Sequence, residues 1–137
     1  MQETGHPDPA RKMFEADDAS RALGIELTDT APGYARARMR ITPAMVNGHG
    51  TAHGGYLFLL ADTTFACACN GHGPTAVAAR ADITFIRPVG LGDELVAVAQ
   101  ERTRFGRSGI YDVTVHRDEQ PVAEFRGHSR TLNDERT

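Results

Sequence analysis

Asn47-Gly48-His49-Gly50-Thr51-Ala52-His53-Gly54-Gly55-Tyr56-Leu57-Phe58-Leu59-Leu60-Ala61-Asp62-Thr63-Thr64-Phe65-Ala66 is the stretch on which the fold turns. A glycine-rich loop with two histidines runs directly into an apolar helix, which we expect over Gly54 to Asn70. Asp62 stands alone in the middle of the apolar run. A carboxylate in such company is costly to bury unless it is paired or used. Glycines before a helix leave backbone N–H groups open to an incoming negative charge. Donors for an oxyanion and a desolvated carboxylate are the two halves of an acyl-transfer site.

Spacing adds a constraint. Gly54 and Asp62 are eight residues apart, roughly 12 Å along a helix axis. A reacting carbonyl has to sit about 3 Å from both the donor and the attacking group. One copy of the helix therefore cannot serve one carbonyl with both groups. Two antiparallel copies about a two-fold axis would bring Gly54 of each to Asp62 of the other. A homodimer, or a dimer of such dimers, is the expected assembly.

Around this helix the pattern is mostly β. Asp8-Pro9 reads as a helix cap with proline in the first turn, and Gly24 as a stop, with Ala10, Met13, Phe14 and Leu23 on one face of a single short helix. Ile25 to Thr30 reads as a strand. From Tyr34 to Ile41, Ala35, Ala37, Met39 and Ile41 alternate with Arg36, Arg38 and Arg40, as in a strand with one buried and one wet face. Thr42 to Ala52 reads as loop. Thr75 to Ile86, Asp93 to Phe105, Ile110 to Arg117 and Val122 to Leu132 read as further strands. One apolar helix followed by four long strands implies an α+β fold with an antiparallel sheet wrapped around the helix.

The chain of 137 residues suits a single domain, and its 40% apolar content supplies a core. A net charge of −3 gives no support for nucleic-acid binding. Arginine outnumbers the single lysine, Lys12; this fits phosphate contacts and equally a GC-rich genome. Cys67 and Cys69 read as buried thiols in a reducing compartment. The N-terminus lacks the basic start and apolar core of a signal peptide, and no run spans a membrane, so a cytoplasmic location is expected. His49 and His53 lack a nearby third ligand, and no metal site is expected.

The ordered set Asn47-Gly48, His53-Gly54-Gly55, Leu60-Ala61-Asp62, Phe85-Ile86-Arg87-Pro88, Gly92-Asp93, Gly109-Ile110-Tyr111-Asp112 and Phe125-Arg126-Gly127 resembles the hotdog-fold acyl-CoA thioesterases, most of all their phenylacetic-acid-degradation branch. The resemblance runs from about residue 10 to 132. It implies hydrolysis of phenylacetyl-CoA or a hydroxylated relative. It implies that Gly54 donates its N–H to the thioester oxygen and Asn47 assists at that carbonyl. His53 would hold the loop and the substrate. Asp62 of a neighbouring subunit would attack or activate water, with Thr63 helping to place that water. Some relatives place a serine on the following strand for this purpose; Ala76-Val77-Ala78-Ala79 offers none. CoA would enter as part of the substrate, not as a cofactor. It would lie across the dimer seam, contacting Gly55, with its phosphates near Arg87, Arg107 and Ser108.

Plainer readings exist for each residue. Asp62 reads equally as a solvent-facing acid, His53 as a packing or capping residue, and the glycines as loop formers. Tyr34, Phe85 and Phe105 read as core or interface, and Met39 and Met45 as core or acyl-pocket lining. Two other functions compete with hydrolysis: a hydratase or dehydratase on the same fold, using His53 and Asp62, and a non-catalytic acyl-CoA-binding module.

Overall fold

The computed structural model describes residues 8–132. Two short helices, α1 (Pro9–Glu15) and α2 (Asp18–Ala22), precede strands β1 (Glu26–Ala31) and β2 (Tyr34–Arg40). The long helix α3 (Gly54–Asn70) follows, and then β3 (Ala76–Phe85), β4 (Glu94–Phe105), β5 (Ser108–Arg117) and β6 (Gln120–Thr131). The strands form one antiparallel sheet in the order β1-β2-β4-β5-β6-β3. The α+β, sheet-around-helix arrangement is thus the one the sequence pattern implies, and α3 has the bounds read from it.

Two local features differ from the sequence reading. The single N-terminal helix is two, because Asp17 acts as a second N-cap: its carboxylate accepts from the Ser20 N–H at 3.0 Å. Asp8 caps the first, accepting from Ala10 and Arg11, and also binds the Thr30 hydroxyl. The loop before α3 holds one 3₁₀ turn, Pro43–Met45, where proline sets the first position.

The helix seat is built from small residues. Ala35, Ala37, Ala97, Ala99 and Ala123 are fully buried on the sheet. A Cβ at Gly127 would meet the Phe65 ring at 2.8 Å, so only glycine lets that ring lie on β6. Phe65 then packs edge-on to Tyr111, with ring centroids 5.5 Å apart. Met39 and Met45 are both buried in this core. Asn70 ties the far end of α3 to β3, donating to Ala76 O and accepting from Ala76 N–H. Arg36, Arg38 and Arg40 are exposed, the last two paired with Glu26 and Glu94, as a wet strand face requires.

Candidate active site

The loop that delivers α3 is organised by Asn47. Its Oδ1 accepts from the His49 and Thr51 N–H groups, at 2.8 and 3.1 Å. Its backbone N–H donates to Thr51 O, and Val46 bridges Ala52. The loop therefore consumes the acceptor end of the Asn47 carboxamide and leaves its NH₂ end as the donor. The His53 N–H donates to Met45 O, which sets the entry into α3. The exposed His53 ring makes no capping bond.

Gly54 and Gly55 open the helix, so their N–H groups have no carbonyl within it. The Tyr56 N–H turns back to His53 O at 3.1 Å. The Phe85 ring closes over position 54: an added Cβ would stand 2.6 Å from it, so any larger residue there must displace the ring. Phe85 is 52% exposed, so within one chain it is not a core residue. It caps Gly54 at the rim of a cleft of about 310 Å³ that also touches Thr51, Leu57, Ile86 and Arg87. Arg87 donates to Pro121 O at 2.5 Å and lines the same cleft.

Arg107 and Ser108 are elsewhere. They line a second cleft, of about 130 Å³, with Cys69 and His72 at the C-terminal end of α3. One chain therefore separates them from Gly54, Gly55 and Arg87 by the length of the helix. At that end Glu101 accepts from Tyr111 at 3.0 Å and lies 2.7 Å from His72 Nε2. Burial works upward on the Glu101 carboxyl, but these bonds outweigh it and hold it low.

Asp62 lies midway along α3. Gly55, Leu59, Asp62 and Ala66 form the stripe of the helix that the chain's own sheet leaves partly uncovered. Burial, and secondly the Asp17 charge, push the Asp62 carboxyl above its ordinary range. Thr63, by contrast, is 6% exposed, and its hydroxyl is 2.7 Å from Ser20 Oγ. No sequence signal pointed to Ser20, which stands 43 positions away. Cys67 and Cys69 are buried, and burial pushes both thiols up to about 12, which leaves them unreactive.

The Asp62 shift has a definite sign. In the fold the charged form is disfavoured, so stability is fully present below the unfolded carboxyl value, about 3.9. It is lost as pH rises through the higher folded value. Asp62→Asn should therefore melt above the unsubstituted protein at neutral pH, with the gain vanishing in acid. Melting curves across the range from acid to neutral pH check this; a variant that melts lower at neutral pH contradicts it.

A family model for the thioesterase superfamily matches residues 49–124, more than half of the chain. The acyl-coenzyme A thioesterase PaaI of Escherichia coli K12 is 44% identical over 124 residues, covering 90% of this chain and 89% of that protein. The chain belongs to the thioesterase superfamily. Its PaaI-type character extends to the backbone. The solved structure of E. coli PaaI, from the phenylacetic acid degradation operon, superposes with a TM-score of 0.88 at 43% identity, with 91% of each chain covered. The TT0310 protein of Thermus thermophilus gives 0.79 at 39% identity, covering 82% of this chain and 96% of that one. This thioesterase thus has the hotdog fold, and it is a thioester hydrolase. Among the described residues no helix is long and apolar enough to cross a membrane.

Proposed function

We propose that this thioesterase cleaves phenylacetyl-CoA or a hydroxylated phenylacetyl-CoA to the free acid and CoA, in sites each built by two copies of the chain. The observation that carries the reading is the juxtaposition at the start of α3. The free Gly54 amide opens on a cleft rimmed by Phe85 and Arg87, while the Asp62 carboxylate lies half-buried on the open stripe of the same helix, too far along to reach that cleft itself. The aryl-acetyl group is supported by the operon from which the E. coli relative comes.

In this reading the thioester oxygen accepts from Gly54 N–H and the Asn47 carboxamide. As charge builds on that oxygen both bonds strengthen, which is where an oxyanion site acts. Asp62 of the partner subunit takes a proton from water, the water oxygen bonds to the carbonyl carbon, and the C–S bond breaks to release CoA as thiolate. Direct attack by Asp62 gives an anhydride that water then opens; the chemistry accommodates both routes. His53 holds the loop against the substrate. Arg87 takes a CoA phosphate. Arg107 and Ser108 join the CoA path from the other subunit, because in an antiparallel pair the C-terminal half of one α3 runs past the partner's Gly54. The protein works in the cytoplasm, where acyl-CoA is made, and needs no cofactor or metal.

A thiol-release assay on phenylacetyl-CoA, hydroxyphenylacetyl-CoA and aliphatic acyl-CoAs of matched size tests the substrate. We expect kcat/KM to favour the aryl-acetyl esters by at least about tenfold, the discrimination available to a shaped apolar pocket. Equal or better use of the aliphatic esters would remove the aryl assignment and leave the thioesterase one standing.

A further inference from the structure

A helical threonine hydroxyl normally turns back on its own helix, and Thr64 does so, donating to Leu60 O at 2.7 Å. Thr63 instead bonds across to α2. Its Oγ1 lies 2.7 Å from Ser20 Oγ, and Ser20 Oγ lies 2.6 Å from Asp17 Oδ2. Ser20 is 1% exposed. A carboxylate only accepts and a serine carries one hydroxyl hydrogen, so Ser20 donates to Asp17. Thr63 must then donate to Ser20. The chain of hydrogens runs one way, from Thr63 through Ser20 to Asp17, and the Thr63 oxygen is left with lone pairs only. The same Asp17 lies close enough to Asp62 for its charge to be felt there.

We propose that Ser20 and Asp17 are positioning residues of the hydrolytic site: they fix the direction of the Thr63 hydroxyl so that it meets the attacking water as an acceptor, beside Asp62. A water whose two hydrogens go to Thr63 and to the Asp62 carboxylate turns an oxygen lone pair outward, to the carbonyl. The direct-water route needs such a water; in the anhydride route Asp62 is acylated when water attacks, and the Thr63 oxygen is the acceptor that remains to orient it. The N-terminal helices are then part of the site and not merely a cover for α3. This inference rests on the assignment of Asp62 to the site proposed above and on the water-placing role of Thr63 that the family resemblance implies.

Asp17→Asn is the discriminating variant. Asparagine caps a helix as well as aspartate does, so α2 is retained. With its oxygen on the Ser20 N–H, its NH₂ faces Ser20 Oγ and donates to it. Ser20 then donates to Thr63, and the Thr63 hydrogen is turned outward. The measurement is kcat and KM for phenylacetyl-CoA on the alkaline plateau of the pH profile, where loss of a charge beside Asp62 no longer enters. We expect kcat to fall roughly five- to tenfold, the scale of one misdirected hydrogen bond, with KM and melting temperature little changed. Ser20→Ala should lower kcat similarly, and should cause no further loss when Thr63 is already Val. Unchanged kcat in Asp17→Asn and Ser20→Ala overturns the proposal. So does a Ser20→Ala loss that is undiminished in the Thr63→Val background, because Ser20 would then not act through Thr63. If Asp62→Asn itself keeps its kcat, it is the underlying site assignment that falls.

Discussion

Replacing Asp62 by Asn or Ala should cut kcat by on the order of a hundredfold to ten-thousandfold, the range for loss of a positioned acid-base group. KM for the CoA ester should change little. In the proposed chemistry Asp62 acts when the carbonyl carbon is attacked, and it contributes little to holding the ground-state ester. The environment supports a role in chemistry over one in solubility: an acid kept for solvation would sit in full solvent, whereas Asp62 is half-buried and its carboxyl is pushed up by burial and by Asp17. Wild-type kcat should accordingly rise with pH through a midpoint above the ordinary carboxylate range, and the residual activity of Asp62→Asn should lose that limb. Stopped-flow or steady-state thiol release measures both. Near-normal turnover in Asp62→Ala would eliminate the mechanism.

The second large effect is a rescue. Gly54→Val puts a side chain where the Phe85 ring now lies, 2.6 Å from the added Cβ. Phe85 is an exposed side chain at the end of β3, so the ring can swing aside and the backbone can keep its path. The valine then crowds the carbonyl out of the donor site. Gly54→Val and Asp62→Ala should each be nearly inactive alone. Mixed after subunit exchange, they should recover activity. Random reassortment makes half of the dimers mixed, and each mixed dimer has one site with both defects and one with neither. About a quarter of all sites should therefore be intact if the two-fold pairing holds. The basis is the helix itself: α3 begins at Gly54, and eight residues of α-helix hold Asp62 roughly 12 Å away. Verified exchange with no recovery above the parent variants would rule out the shared site.

Much of this architecture was legible because it depends on periodicity. The alternation of β2 and the apolar run of α3 are one-dimensional signals, and both elements stand where the pattern puts them. The break at Asp17 is a capping event, and the adjacent acids Asp17-Asp18 are the signal that could have revealed it. That Gly54 opens α3 and that Asp62 lies within it followed from the loop-to-helix pattern, whereas Asn47 entered only through the family resemblance. The division of Arg87 from Arg107 and Ser108 did not, because it depends on β3 and the β4–β5 turn meeting opposite ends of the helix. Nor did the Ser20–Thr63 bond, which joins residues far apart in the chain through the packing of α2 alone.

The alanines and the glycine beneath α3 bear on how such a protein can diversify. A seat filled so closely offers no room for a larger side chain, since overpacking a core costs about 1–3 kcal/mol. Variation in what is recognised is thereby directed to the rim, where Phe85, Ile86 and Leu57 border the cleft and Phe85 and Ile86 are half exposed. Phe85 and Ile86 can change with small consequences for folding, because little of the core leans on them, whereas Leu57 is buried and belongs to the core. The close-fitted interior works as a chassis: selection is free to retune the acyl preference without reopening the question of whether the chain folds.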